Sequence, residues 1–185
     1  MDEQELIERI KQGDEMALAS LMEIYKDRVV NFLYHSLGDY ERAVELAQET
    51  FIRVYFRAHQ YRPVGPVSAW IFTIASNLAK SEAKRRRKVN LVSLEEVASE
   101  LGGEGVSYDP PTAGLSRSLE QALNELPAHY RLPLLLKDLE GFSQEEIARM
   151  LGRPVGTIKA RISRARHILR RRLESALRGK NDGGA

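Results

Sequence analysis

The sequence contains no cysteine. That excludes disulfides, thiolate zinc sites and cysteine nucleophiles, and it fits a reducing cytoplasm. The four histidines, His35, His59, His129 and His167, are scattered without a ligand-spaced partner, so no metal site is expected. Gly102, Gly103 and Gly105 cluster, but they lack the lysine and flanking strand that a phosphate-cradling loop needs. Acid pairs such as Glu145-Glu146 stand where a helix begins, where they complement its dipole. No catalytic residue and no cofactor is therefore expected, and the chain does not read as an enzyme. No apolar run approaches the ~20 residues needed to span a bilayer. The opening MDEQELIERIKQGDE is acidic and amphipathic and is no secretion signal. A cytoplasmic protein without membrane insertion is expected.

What is present is helix-forming material and segregated charge. Of 185 residues, 43% are apolar, enough for real cores. Leu, Ala, Glu and Arg dominate, and strand-type alternation is scarce. Residues 1–49 hold 12 acids and 5 bases, net −7, whereas residues 50–88 hold 9 bases and a single acid, Glu82, net +8. Residues 89–116 hold 5 acids and no base, and residues 117–185 hold 8 acids and 14 bases, net +6. Two basic surfaces separated by acidic segments suit two contacts on one polyanion.

The apolar spacing predicts the elements. One helical pattern runs from Leu6 through Ile10, Ala17, Leu21, Ile24, Tyr25, Val29, Phe32 and Leu33 to Leu37, where Gly38-Asp39 breaks it. A second helix is expected over 40–58, with Val44, Ala47, Phe51, Val54 and Tyr55 inward. Tyr61 to Pro66 holds two prolines and a glycine and reads as a loop. Ser68 then caps a third helix through Ala83, carrying Trp70, Ile71, Ile74, Ala75 and Leu78. It leads into Lys84-Arg85-Arg86-Arg87-Lys88.

Glycine, proline and acid gather in 89–116, with at most a short helix after Ser93, so a flexible acidic linker is placed over 91–115. The fold expected is all-α: two small helical domains, 1–90 and 116–178, and a disordered tail over 179–185. Pro127 ends the first helix of the second domain, and a helix over 132–139 carries Pro133 in its first turn.

Phe142 to Arg166 read FSQEEIARMLGRPVGTIKARISRAR. Ser143 and Glu146 form a capping box, Gly152 can end the helix in the left-handed conformation, and Pro154 can begin the next one. Helix, short glycine-bearing turn, helix is the helix-turn-helix layout. On the second helix Val155, Ile158, Ile162 and Ala165 face inward. Thr157, Lys159, Arg161, Ser163, Arg164 and Arg166 face outward, giving the short hydroxyls and guanidinium groups a major-groove helix needs.

These residues resemble the promoter −35-binding domain of extracytoplasmic function (ECF) sigma factors. AVELAQETFIRVYFRA resembles their core-polymerase-binding helix, and AWIFTIASNLAKSEAKRRRK their −10-element segment. The resemblance covers roughly residues 10–178. It implies core RNA polymerase as a partner, reached through the β′ clamp helices by Glu45, Gln48, Glu49, Phe51 and Tyr55, with the β flap as a second contact. It implies −10 promoter DNA at Trp70, Asn77, Lys80, Lys84, Arg85, Arg86 and Arg87. Asn77 would line the pocket for a flipped base, and the loop Tyr61–Ser68 would help select that base. It implies −35 DNA at Thr157, Lys159, Arg161, Ser163, Arg164 and Arg166. The linker would thread toward the RNA exit path, and an anti-sigma factor would cover both domains. The competing reading is a stand-alone helix-turn-helix regulator that dimerises through residues 1–90 and binds duplex DNA without polymerase.

Overall fold

The structure is a computed structural model that describes residues 2–96 and 117–181. Among these residues it contains eight α-helices, one 3-10 turn and no strand. The segment between, which holds most of the expected linker, lies outside the described residues.

The first half contains α1 (Glu3–Lys11), α2 (Glu15–Leu37), α3 (Tyr40–Arg57), a 3-10 turn (Ala58–Gln60) and α4 (Val67–Glu96). The single apolar pattern expected from Leu6 to Leu37 is two helices. Gly13 takes φ 85°, a left-handed value that an L side chain adopts only with strain. The side chain of Asp14 then accepts hydrogen bonds from the N–H groups of Met16 and Ala17 and starts α2 afresh. Asp39 caps α3 in the same way through Arg42 N–H.

The third expected helix also differs. It begins at Val67, directly after Pro66, rather than behind a Ser68 cap. It continues through residue 90 to Glu96, so the turn expected to open separately after Ser93 is the end of α4.

The second half contains α5 (Arg117–Asn124), α6 (Ala128–Asp138), α7 (Gln144–Leu151) and α8 (Val155–Asn181). Pro133 is a correction. The helix starts at Ala128 with Pro127 at its N-cap, so Pro133 sits in the interior and not in the first turn. An interior proline costs about 3 kcal/mol in an open helix. Here its ring is buried in a run with Leu132, Leu134, Leu135 and Leu136, and that burial offsets the lost backbone bond. α8 reaches Asn181, so helix extends into the segment expected to be a disordered tail.

Both halves contribute to one apolar cluster. Leu21, Phe32, Leu33, Ile71 and Phe72 fill the first half; Leu126, Leu136, Ile147, Ile158 and Ile162 fill the second. Each such side chain contributes about 1.5–3 kcal/mol on full burial. Phe142, just ahead of α7, packs edge-on against Phe72 of α4, with ring centroids 5.6 Å apart. Arg28 of α2 donates to Glu140 at 3.2 and 2.9 Å. It also lies over the rings of Tyr25 and Phe72 at 5.3 and 5.4 Å. The Glu140 side chain is only 3% exposed, and burial raises its pKa against the opposing pull of Arg28. Arg131 donates to the carbonyls of Ser36 (2.7 Å), Leu126 (2.6 Å) and Asn124, tying α6 to the C-terminal ends of α2 and α5. These contacts dock the two halves against each other.

Candidate nucleic-acid and polymerase interfaces

The helix-turn-helix is built by local rules. Glu146 N–H donates to Ser143 Oγ at 3.1 Å, and Ser143 N–H donates to Glu146 Oε2 at 2.8 Å, closing the capping box. Gly152 takes φ 61°, and Arg153 N–H bonds back to the Ala148 carbonyl at 3.0 Å. That geometry ends α7 and redirects the chain into α8.

Ile158, Ile162 and Ala165 are buried beneath α8. The fully solvated side carries Gly156, Lys159, Ala160, Ser163, Arg164 and His167. At 100° per residue these positions centre on Gly156 and His167, with Ala160 and Ser163 beside them and Lys159 and Arg164 at the two edges. Thr157 and Arg161 are half-buried on one flank. Arg166 lies on the other flank and pairs with Asp138, its Nε at 3.1 Å from the carboxylate. The sequence reading left Gly156, Ala160 and His167 out of the DNA-facing set; the helical angle places them on the same face.

α4 carries a second surface. Trp70, Thr73, Asn77, Lys80, Lys84 and Arg87 follow i, i+3, i+7, i+10, i+14, i+17 spacing and form one stripe. Trp70 is half-buried against Tyr61, with ring centroids 5.3 Å apart. The Tyr61 hydroxyl donates to the Gly65 carbonyl at 3.2 Å and closes the 61–66 loop. Asn77 is exposed, with no hydrogen-bond partner among the described residues. Two cavities flank it. One, about 200 Å³, lies between Trp70 and the 61–66 loop on one side and Glu146, Arg149 and Met150 of α7 on the other. The other, about 310 Å³, lies beside Lys80, Lys84 and Arg87.

The basic run Lys84–Lys88 divides. Arg86 donates to Glu82 (3.0 Å), Asp39 (2.8 Å) and the Leu37 carbonyl (3.2 Å), so its guanidinium is committed inside the protein. We therefore remove Arg86 from the nucleic-acid set. Arg85 shares Glu82 at 2.7 and 3.1 Å but leaves 60% of its side chain exposed. Arg42 adds a third guanidinium at 3.0 Å. Arg85 first, then Arg42 and Arg86, hold the Glu82 carboxyl down at about 2 against the opposing effect of burial.

On α3 the exposed stripe is Glu45, Gln48, Ile52 and Phe56, with Glu49 half-buried beside it. Phe51 is a correction: it is 3% exposed, packed among Leu46, Ala47, Thr50 and Val54, and offers no surface to a partner. Ile52 (50% exposed) and Phe56 (69%) provide the apolar surface instead. Tyr55 is half-buried, edge-on to Phe56 at 5.4 Å. Glu45 pairs with Arg42, and Glu49 with Arg53 at 2.7 Å; Glu45 stays largely accessible and Glu49 partly so.

A further surface was absent from the sequence reading. An apolar groove of about 470 Å³ runs between α5, α6 and α8, with Leu119, Leu123, Leu135, Leu169, Leu173 and Leu177 among its walls. The four-residue spacing of leucines on α5 and α8 is the signal that could have found it.

A helical protein with a cationic helix-turn-helix and a second cationic helical stripe belongs to the DNA-binding transcription proteins. Residues 21–89 match the family model "Sigma-70 region 2", and residues 116–169 match "Sigma-70, region 4". The chain is 32% identical over 176 residues to the ECF RNA polymerase sigma factor SigW of Bacillus subtilis, covering 90% of this chain and 94% of that protein. It is 32% identical over 185 residues to the RNA polymerase sigma-H factor of Pseudomonas aeruginosa, covering 95% and 96%. Among solved structures it is similar to the sigma factor RpoE of Bartonella quintana, determined in complex with the anti-sigma factor NepR. There the TM-score is 0.70 at 27% identity, covering 84% of this chain and 96% of that one.

The chain belongs to the ECF RNA polymerase sigma factors, alternative sigma factors that direct transcription initiation. The family is one of transcription factors rather than enzymes. No helix among the described residues is long and apolar enough to cross a membrane.

Proposed function

We propose that this chain binds core RNA polymerase in the cytoplasm and brings it to promoters by reading a −10 and a −35 element, assisting melting at the former. The observation that carries the reading is that one chain holds two separate cationic helix surfaces, the α4 stripe and the outer face of α8, beside an acidic and apolar face on α3. Residues 1–90 take the polymerase and −10 roles, 116–178 the −35 role, and 91–115 connect them. The test is co-elution of the full chain with bacterial core polymerase on a sizing column, beside a duplex-binding assay without polymerase. Stoichiometric co-elution with little DNA affinity of the free protein is expected. No co-elution with tight palindrome binding would instead make the chain a stand-alone regulator.

On α3 the docking face consists of Gln48, Glu49, Ile52 and Phe56, with Glu45 at its edge. Exposed apolar side chains rimmed by acids suit a partner helix pair. Replacing Ile52 and Phe56 together by alanine is expected to weaken polymerase binding about tenfold or more with helicity unchanged. Competition of the variant against wild-type chain for a limiting amount of core polymerase measures this.

On α4, Asn77 is the base-reading group, because an exposed amide offers donors and acceptors to a base edge. Trp70 stacks, and Lys80, Lys84, Arg85 and Arg87 attract the strand. Asn77→Ala is expected to reduce permanganate reactivity of −10 thymines while closed-complex binding persists. Unchanged reactivity would remove Asn77 from this role.

On α8 the reading residues are Lys159, Ser163 and Arg164, with Thr157, Arg161 and Arg166 on its flanks for phosphates. The leucine-lined groove of the second half fits an amphipathic helix and serves the β flap or an anti-sigma factor.

A further inference from the structure

The docking of the two halves makes the cavity beside Lys80, Lys84 and Arg87 a cleft with cations on both sides. Lys80, Lys84 and Arg87 of α4 form one side, and His129 of α6, Arg153 of the turn and Arg161 of α8 form the other. The cavity measures about 310 Å³, and among the described residues no carboxylate lines it. None of the five lysine and arginine side chains has an ion-pair or hydrogen-bond partner among the described residues. Elsewhere arginines are held by acids: Arg42, Arg85 and Arg86 on Glu82, Arg28 on Glu140, Arg166 on Asp138.

The two sides are close enough to repel. Burial first, and then the guanidinium of Arg153 across the cleft, lower the pKa of Lys80. Burial, then Arg161 and Arg87 from opposite sides, lower that of His129. A concave site surrounded by like charge is complementary to a compact anion.

The geometry points to a binding site for a linear polyphosphate, seated between the two halves and held by Lys80, Lys84, Arg87, Arg153 and Arg161, with His129 at its edge. Duplex DNA, whose major groove alone is about 12 Å wide, does not enter a cavity this small. The volume sits at the small-molecule end of ligand pockets. Five cations match a chain of three or four phosphates better than a single phosphate, and three of them are arginines able to bond two oxygens at once. Inorganic tripolyphosphate and the phosphate chain of a nucleoside triphosphate share this chemistry. Because the cations come from both halves, the bound anion clasps the halves together. Its consequence for transcription rests on the sigma-factor reading, since the same cations face promoter DNA there; the binding itself does not.

The test is calorimetric titration of the full chain, without DNA or polymerase, at about physiological salt, using inorganic tripolyphosphate and GTP in separate runs. Saturable one-to-one binding is expected. Arg153→Ala should weaken it about tenfold or more, because it removes a charge-assisted contact. Arg164→Ala, on the same helix-turn-helix but outside the cleft, should leave it unchanged. Arg28→Glu breaks the ion pair with Glu140 and loosens the docking without touching a cleft cation. It should weaken binding at least fivefold, while the charge-matched Arg57→Glu on exposed α3 surface does not. Equal affinity for tripolyphosphate and GTP assigns recognition to the phosphate chain; tighter GTP binding adds a contact to the nucleoside. Non-saturating uptake, or equal weakening by Arg153→Ala and Arg164→Ala, overturns the proposal. So does affinity unchanged by Arg28→Glu. Each of these results leaves the polymerase co-elution, and hence the sigma-factor reading, untouched.

Discussion

Glu82→Gln is expected to lower the unfolding free energy of the full chain by about 2–3 kcal/mol and its midpoint temperature by roughly 5–10 °C. Glu82 is the only acid in residues 50–88 and is 4% exposed, yet it receives Arg85, Arg42 and Arg86 together. Removing its charge leaves three guanidinium groups facing one another around a neutral amide. A fully buried pair broken this way costs about 3–5 kcal/mol. The figure here is smaller because the arginine side chains are about one-third to two-thirds exposed and water screens them. Urea unfolding followed by circular dichroism measures the difference.

The same carboxylate sets a pH dependence. Its folded-state pKa of about 2 lies below the ordinary 4.5. A depressed acid stabilises the folded state above its unfolded pKa. The contribution is therefore complete above about pH 5 and is lost as pH falls from 4.5 toward 2. Wild-type and Glu82→Gln stabilities should converge over that interval. A gap that stays constant down to pH 2.5 would show that the network does not act through the Glu82 charge.

Arg164→Ala is expected to weaken −35-dependent promoter binding by the reconstituted holoenzyme by about 1–3 kcal/mol and to relax sequence preference at the position it contacts. Arg161→Ala is expected to act less, and evenly across sequences. By sequence the two are equivalent outward arginines. In the structure Arg164 is exposed on the solvated side of α8, while Arg161 is half-buried on the flank turned toward α4. Binding to a panel of −35 variants, with polymerase present, separates the two. Identical losses for both substitutions would mean that the free-protein geometry of α8 does not carry over to the DNA complex.

Which parts of this architecture are legible from sequence depends on the range of the interaction responsible. Ser143, Glu146, Gly152 and Pro154 act within a turn or two of themselves, so the helix-turn-helix can be read residue by residue. Gly13-Asp14 carries a local signal as well, but the apolar period runs across it, and periodicity alone joined α1 to α2. On α3 the series Ala43, Leu46, Ala47, Thr50, Phe51 and Val54 places Phe51 inward and Ile52 and Phe56 outward. Matching by family resemblance put Phe51 on the partner face, and the period corrects it. Pro133 misled because a proline is read by its backbone cost, and the burial that offsets that cost comes from neighbouring helices.

The sequence by itself determined the all-helical class, the cationic helix-turn-helix, the acidic face of α3 and the cationic stripe of α4. Capping, helical period and charge segregation act over one to five turns of chain, and each leaves a local pattern. Only the tertiary structure decided what joins distant positions. Arg28 meets Glu140 across 112 residues, Arg86 reaches back 47 residues to Asp39, and Lys80 faces Arg153 over a shared cleft. No period or motif encodes such pairs. They arise when buried surfaces such as Phe72 and Phe142 come together, and the charges carried with those surfaces are then paired, as Arg28 is, or left facing one another with no counter-ion among the described residues, as in the cleft.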